Sequence, residues 1–313
     1  MEGTCPVGVL PVAGEMLLRG MQVAGPSAAE TLSRECARMK LKKRMILRKI
    51  FRAVGIGTAL LAAAVALFIA VSWAVEYRPG ERETTICCPE GEIVPLPDTL
   101  TILSWNIGYA GLGDNMDFFY DGGRRVRDSR ERTARNLKEI VETISRVNPD
   151  IALLQEVDLD SRRSYRIREV DTLRAAFPGY TLAFAYNYKV CWVPVPLRAP
   201  LGRVQAGVVT LSRYAPVSTV RYGYPSAFGF PVRLFNLKRC LLEAEFVTRG
   251  GDTVWIGNTH NTDMGRFHYS DGCTHPGSQL ILYFFICPVA YDHLALNSHT
   301  GHNMSIFSSA VGR

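Results

Sequence analysis

The stretch IALLQEVD, residues 151–158, and the stretch LTILSWNIG, residues 100–108, together decide the fold. Each is a short apolar run of the kind that forms a buried strand in a parallel sheet. Each run also ends in a group that can bind a metal, Asn106 in the earlier stretch and Glu156 in the later one. Layered α/β folds place their ligands where strands end, because the sheet holds those ends rigidly. The sequence therefore predicts an α/β fold with a candidate site for a hard cation such as Mg²⁺, which prefers oxygen ligands.

The segment between these two strands has the spacing of an amphipathic helix. Within residues 130–147, apolar side chains recur every three or four positions: Leu137, Ile140, Val141, Ile144 and Val147. Asn148, Pro149 and Asp150 end the helix and turn the chain into the second strand. A strand, a helix and a parallel strand form a βαβ unit, which brings both strand ends to the same edge of the sheet.

Short strands dominate the rest of the domain. A second helix is predicted over residues 163–177, and alternating apolar residues over 180–186 indicate a strand. Further strands are predicted at residues 207–212, 217–224, 240–247 and 253–258, with a glycine-containing hairpin turn before the last one. We expect the domain to cover residues 99–264. Residues 265–313 contain no Glu or Lys and no clear alternation, and are predicted to be an atypical tail.

The N-terminal part predicts a membrane anchor. Much of the formal net charge of +7 lies in the basic block at residues 40–52, and residues 53–75 are then uncharged over a length that crosses a hydrocarbon core. The positive-inside rule predicts a single-pass membrane protein with a cytoplasmic N-terminus and an extracytoplasmic C-terminal domain. A cleaved signal peptide and a buried core helix are the alternatives.

The segments on either side of the anchor are predicted to lie outside the domain. Residues 1–38 are interpreted as an extension, with Met39 as the start of the natural protein and residues 39–76 as the basic flank and transmembrane helix. Residues 77–98, rich in Pro, Gly and Glu, are interpreted as a linker. The eight cysteines show no metal-ligand spacing, so structural zinc is not predicted.

Four short motifs occur in an order that resembles one known superfamily. They are Ser104-Trp105-Asn106-Ile107, Leu154-Gln155-Glu156-Val157-Asp158, Gly207-Val208-Val209-Thr210-Leu211-Ser212-Arg213 and Asn258-Thr259-His260. The sequence is similar to the endonuclease/exonuclease/phosphatase superfamily over roughly residues 100–263. This resemblance implies a four-layer α/β/β/α sandwich and Mg²⁺-dependent hydrolysis of phosphoesters, with Mn²⁺ as the alternative ion.

The resemblance also implies roles for individual residues. Glu156 would be the metal carboxylate, with Asn106 beside it at the metal or the phosphate. His260 and Asn258 would be catalytic, His260 by hydrogen-bonding the phosphoryl oxygens or by protonating the leaving group. The substrate-binding residues that it implies are Arg239, Tyr186 and Asn187.

Two questions stay open in the sequence. The phosphoester substrate could be a nucleic acid, a phospholipid or a sugar phosphate. The chain could also be a catalytically inactive, truncated relative that at most binds a phosphate-bearing ligand or a partner, because the family's G-D-x-N and S-D-H motifs are not found after His260. Tyr291-Asp292-His293 is a weak counterpart of the latter. The charged residues near Glu156 are expected to be solvated: Asp158, Asp160, Arg162 and Arg163.

Overall fold

A computed structural model describes residues 27–88, 92–113, 116, 123, 125–226, 228–260, 281–286 and 304–310. The chain divides into two compact units, Met1–Leu67 and Phe68–Arg313. Most of the predicted extension at residues 1–38 and the Tyr291-Asp292-His293 sequence lie outside the described residues.

Helices and strands alternate in the first half of the domain, and strands dominate the second half. The helices are α1 (Ala28–Ala74), α2 (Arg130–Val147) and α3 (Glu169–Ala176). The strands are β1 (Arg82–Thr84), β2 (Ile86–Cys88), β3 (Thr99–Asn106), β4 (Ile151–Asp158), β5 (Thr181–Val193), β6 (Gly202–Ser212), β7 (Ser218–Gly223), β8 (Cys240–Val247), β9 (Thr253–His260), β10 (Ile281–Ile286) and β11 (Met304–Ala310).

The strands form two sheets, which makes this a mixed α/β fold. One sheet has the order β11-β3-β4-β6-β5-β2 and the other has the order β1-β7-β8-β9-β10. Strands β3 and β4 are parallel neighbours with α2 between them in the chain, so the predicted βαβ unit is confirmed. The predicted hairpin of β8 and β9 is also confirmed, and Thr248 N–H donates to Asp252 O at 2.8 Å in its turn.

The six-stranded sheet is buried on both faces, as the apolar runs of its central strands require. On one face it packs against α2 and α3, through a cluster that includes Trp105, Leu154 and Ile140. On the other face it packs against the five-stranded sheet, through a cluster that includes Ile102, Leu153 and Phe246. The described residues thus form three layers of the predicted four-layer sandwich, and a helical layer on the outer face of the five-stranded sheet is not among them.

Helix α2 has the bounds that its periodicity predicts, and its ends show why. At the N-cap, the Ser129 side chain accepts a hydrogen bond from Arg132 N–H at 3.2 Å. At the C-cap, Asn148 adopts the left-handed conformation with φ 53°, which Asn tolerates better than most residues. Polar capping residues at both ends therefore fix the length of the helix.

Helix α3 is shorter than the helix predicted over residues 163–177. It begins only at Glu169, because Tyr165 and Arg166 have φ values of 56° and 59°, which are incompatible with a right-handed helix. Arg163 is buried and pairs with Asp158, so the chain follows this ion pair instead of continuing the helical periodicity.

Parts of the predicted linker and of the predicted tail form strands that pair with the two sheets. Strand β1 in the linker pairs with β7, and β2 pairs with β5. In the tail, β10 pairs with β9 and β11 pairs with β3. The backbone groups at the edges of both sheets thus find hydrogen-bonding partners in segments that carry no clear strand pattern.

Helix α1 is the one element of the described chain that is long and apolar enough to cross a membrane. It begins at Ala28, before the predicted start of the anchor at Met39. Its large apolar side chains are exposed, as Leu60, Leu61 and Leu67 show. Exposing so many apolar side chains to water is energetically unfavourable.

Candidate active site

Asn106 is the last residue of β3, so it lies where this strand of the six-stranded sheet ends. Its Oδ1 accepts a hydrogen bond from Gly108 N–H at 2.9 Å, and its Nδ2 donates to Glu156 Oε1 at 3.1 Å. The first contact holds the amide against the turn that follows the strand. The second contact joins the two residues that the sequence assigns to the metal.

Glu156 lies at an irregularity within β4, two residues before the last residue of the strand, whereas the sequence predicts it at the strand end. The pairing of β4 with β6 shifts between Leu154 and Val157, and Glu156 itself has φ 55°. A bulge of this type bends the strand and re-aims the side chain. The Glu156 side chain is consequently 22% exposed, while its neighbours in the strand are buried.

His260 completes the group from the other sheet, where it is the last residue of β9. Its Nε2 lies 3.6 Å from Glu156 Oε1 and 3.5 Å from Asn106 Nδ2. Burial lowers the pKa of His260 below its ordinary range, an effect that Arg239 reinforces and the Glu156 carboxylate opposes. The imidazole is therefore neutral near pH 7, and among the described residues its buried Nδ1 has no hydrogen-bond partner.

Arg239 brings a permanent positive charge to the same region. It immediately precedes β8, and its Nη1 donates to the backbone carbonyl of His260 at 2.6 Å. This contact fixes the end of β9 and places the guanidinium beside the imidazole. A fixed cation next to a neutral donor or acceptor suits the recognition of an anionic group such as phosphate.

Asn258 lies in β9 two residues before His260, and its catalytic role stays a prediction. It is fully buried between the sheets, where its Oδ1 accepts from Gln155 Nε2 at 2.8 Å. Its Nδ2 donates to Val209 O at 2.8 Å and to Leu154 O at 3.3 Å. Asn258 thus links β9 to β4 and β6.

Tyr186 and Asn187 lie in the middle of β5. The Tyr186 ring packs edge-on against Phe184, with centroids 4.9 Å apart, and against Tyr77 at 5.8 Å. Asn187 is almost completely buried. The substrate-binding role of both residues stays a prediction.

A buried charged network lies behind Glu156, and the sequence analysis missed it. Asp158 and Arg163 were expected to be solvated, but both are buried, and Arg163 Nη2 donates to Asp158 Oδ1 at 2.9 Å. The Arg163 guanidinium also lies 3.9 Å from the centre of the Tyr109 ring. Glu169 Oε2 accepts from Asp158 N–H at 2.7 Å. The available signal was that Asp158 is the last residue of a strand buried on both faces.

The donors at the site fit a hard divalent cation. Glu156 offers a partly exposed carboxylate and Asn106 an amide, and Mg²⁺ is typically held by one or two carboxylates, with waters and substrate phosphates as its other ligands. In the part of the chain that the structure describes, no group of three or more His, Cys, Asp or Glu residues could hold a metal. The chemistry of the donor set is therefore that of an open oxygen-ligand site and not of a closed metal cage.

Comparison with solved structures finds partial matches of low similarity. An endonuclease/exonuclease/phosphatase from Beutenbergia cavernae DSM 12333 is 23% identical, over 54% of this chain and 40% of that one, with a TM-score of 0.39. The human Nocturnin catalytic domain with bound sulfate is 16% identical, over 58% and 55%, with a TM-score of 0.33. D. rerio TDP2 in complex with a single-strand DNA product is 15% identical, over 52% and 46%, with a TM-score of 0.31.

The chain spans about half the length of these structures. No curated protein sequence matches it. The sequence model of one family, described as the Endonuclease/Exonuclease/phosphatase family, matches residues 103–291 of the chain. This match covers more than half of the chain and includes Asn106, Glu156 and His260. The chain therefore belongs to the endonuclease/exonuclease/phosphatase family.

Proposed function

We propose that this protein is a membrane-anchored phosphoester hydrolase that depends on a divalent cation, with Mg²⁺ as the expected ion. One observation carries the proposal. Asn106, Glu156 and His260 come from three separate strands of two sheets, yet their polar atoms lie within 3.1 to 3.6 Å of one another. Family membership supports the same reaction class.

In this proposal, Glu156 and Asn106 hold the cation. When bound, the cation would neutralise negative charge on the phosphoryl oxygens, which is the main electrostatic requirement of phosphoester hydrolysis. The bulge at Glu156 keeps the carboxylate partly open to solvent, so substrate can approach it. The hydrogen bond from Asn106 Nδ2 orients the carboxylate before substrate arrives.

His260 and Arg239 would act on the phosphate itself. The neutral imidazole can hydrogen-bond a phosphoryl oxygen or move a proton at its Nε2, which is the ring nitrogen that faces Glu156. Arg239, which contacts the His260 carbonyl, keeps its charge at all relevant pH values and would attract and orient the anion. The substrate class is a phosphoester: nucleic acid, phospholipid and sugar phosphate are the candidates.

The membrane anchor is α1, and the basic block before its apolar part would keep the N-terminus in the cytoplasm. The exposed apolar side chains of the helix support this assignment, since they would be unstable in water. The domain that follows would then face the extracytoplasmic side.

A turnover assay with metal removal tests the proposed reaction. Full-length protein in detergent micelles is incubated with a phosphodiester, a phosphomonoester and a phospholipid, first with Mg²⁺ or Mn²⁺ and then with excess EDTA. We expect at least one ester to be hydrolysed, the activity to be lost with EDTA, and Mg²⁺ to restore it. Hydrolysis that persists after chelation would refute the metal dependence. A folded protein that hydrolyses none of the esters would instead support the inactive alternative.

A further inference from the structure

Residues 228–235, between β7 and β8, expose an unusual number of large apolar side chains. Phe230 is 58% exposed and Val232 is 52% exposed, and Phe228 is exposed as well. Single exposed apolar residues are normal on protein surfaces, but a cluster of aromatic and aliphatic side chains marks an interaction surface.

Hydrogen bonds hold this segment in place on the domain. Tyr188 Oη donates to Phe235 O at 2.8 Å, and Asn236 Nδ2 donates to Val232 O at 2.9 Å. Lys238 N–H donates to Asn187 O at 2.8 Å just after the segment. The apolar side chains are therefore presented outward by a bonded backbone.

The segment lies beside the last part of α1. The Phe235 ring stacks on the Phe68 ring, with centroids 5.5 Å apart and planes within 3° of parallel. Phe68 precedes Val75, the end of the apolar stretch, by seven residues. At about 1.5 Å of rise per residue, Phe68 lies about 10 Å inside that end of the helix. A side chain stacked on Phe68 thus reaches the depth of the acyl chains if α1 spans a bilayer.

Charged residues occur at the level expected for the membrane surface. Glu76 follows the apolar stretch directly, and its Oε1 lies 2.7 Å from Lys238 Nζ and 3.6 Å from Arg233 Nε. Arg233 belongs to the segment, but its guanidinium reaches back to the end of the helix, as a basic side chain does when it extends from an apolar layer to water. The aromatic residues Trp73 and Tyr77 flank the same level.

We propose that residues 228–235 insert into the outer part of the bilayer that α1 crosses, so that the domain is held on the membrane surface and not merely tethered to it. The partner is the phospholipid bilayer itself. This inference rests on the membrane anchor in the proposed function, but it does not depend on the hydrolytic activity. Aromatic and aliphatic side chains next to basic residues are the composition of surfaces that lie in the membrane interface.

The same insertion would fix the orientation of the candidate active site. Tyr224, just before the segment, lies with its Oη 3.3 Å from Thr259 Oγ1, and Arg239, just after the segment, contacts the His260 carbonyl. Both ends of the inserted segment therefore connect to the end of β9. A domain docked in this way would hold its site at a constant height above the lipid.

Photocrosslinking to lipid tests the insertion. Benzoylphenylalanine replaces one residue at a time in the full-length chain, which is reconstituted in phosphatidylcholine and phosphatidylglycerol vesicles, irradiated and analysed by mass spectrometry for phospholipid adducts. The test position is Phe230. The matched control is Val217, an apolar residue with 44% exposure at the opposite end of β7, and Leu61 in α1 reports on the anchor.

We expect lipid adducts at Phe230 and Leu61 and only background at Val217. Adducts at Leu61 with background at Phe230 would overturn the insertion and leave the anchor intact. Background at both positions would refute the anchor and, with it, the insertion. Adducts between two protein chains at Phe230, in place of lipid adducts, would overturn the proposal in favour of a second copy as the partner.

Discussion

Glu156 has a backbone conformation that few residues with a side chain adopt. Its φ of 55° falls in the left-handed region, which costs a non-glycine residue of order 1 to 3 kcal/mol. The buried pair of Asp158 and Arg163 and the hydrogen bond from Asp158 N–H to Glu169 hold the chain immediately after it. We infer that this network offsets the strain and keeps the carboxylate aimed at Asn106.

The network predicts an unusual pH dependence of stability. Burial, together with the nearby Asp158 carboxylate, raises the pKa of Glu169 well above its ordinary value of 4.5. The folded protein therefore retains a proton that the unfolded chain releases above about pH 4.5, so this residue makes the protein less stable as the pH rises. A protonated Glu169 leaves one negative and one positive charge in the cluster, carried by Asp158 and Arg163.

Glu169→Gln should remove this penalty while keeping an oxygen that accepts from Asp158 N–H. We expect the variant to gain at least about 1 kcal/mol in the free energy of unfolding near pH 8, since one pKa unit corresponds to about 1.4 kcal/mol. The gain should vanish near pH 4.5 and below. Denaturant unfolding at several pH values measures it, and a gain that is the same at every pH would contradict the buried-proton account.

At this scale, the sequence predicted the proximity of three candidate residues better than the burial of the residues around them. Asn106, Glu156 and His260 each end an apolar run or lie near its end, and the structure brings them together. The burial of Arg163 was not predictable from composition, because a charged residue next to another in a turn is usually solvated. Its ion pair with Asp158, five residues earlier, and its contact with the Tyr109 ring compensate for burying the charge.

At the scale of helices and strands, the apolar runs of the sequence predicted the central strands, but they did not predict the details of strand pairing. Both β3 and β4 have nearly the predicted bounds because burial on two faces demands continuous apolar sequence. The shift at Glu156 depends on the pairing with β6, which no local pattern in β4 reveals. The strands β10 and β11 were missed because their pairing is decided by the edges of β9 and β3.

Gly207 in β6 is a position where the packing leaves no room for a side chain. A Cβ at this position would lie 2.0 Å from Ala185 O and 2.7 Å from the Phe184 ring, so the pairing of β5 with β6 would have to open. We expect Gly207→Ala to destabilise the domain by about 3 kcal/mol or more, at the upper end of overpacking costs, because the clash is with backbone. Thermal unfolding followed by near-UV circular dichroism measures the loss.

Gly179→Ala is the matched control for this substitution. A Cβ at Gly179 has nothing within 4 Å, so the variant should unfold at nearly the temperature of the unmodified protein. Equal unfolding temperatures for both glycine variants would contradict the register of β5 and β6 described above.

For the whole molecule, the central expectation is that α1 separates two compartments. Cys36 precedes the apolar stretch and Cys191 lies in the domain, and both thiols are exposed. Two variants, each with a single cysteine left of the eight, Cys36 in one and Cys191 in the other, should react differently with a membrane-impermeant maleimide added to intact cells. We expect Cys191 to be labelled and Cys36 to be labelled only after the membrane is opened.

Labelling of Cys36 alone in intact cells would reverse the predicted topology. Labelling of both thiols in a protein released by alkaline carbonate would refute the anchor altogether. The basic block before the apolar stretch predicts the orientation of the helix. Replacing the Lys and Arg residues of 40–52 with neutral residues should therefore weaken the preference for a cytoplasmic N-terminus.

The most direct test of the account compares Glu156→Gln with Glu142→Gln in the same hydrolysis assay with Mg²⁺. Glu142 lies on the exposed face of α2, where it pairs with Lys138, so its substitution should leave the rate unchanged. We expect Glu156→Gln to lower kcat/KM by at least about a hundredfold, because it removes the carboxylate that would hold the cation. Equal rates for the two folded variants would contradict the placement of the active site at Glu156.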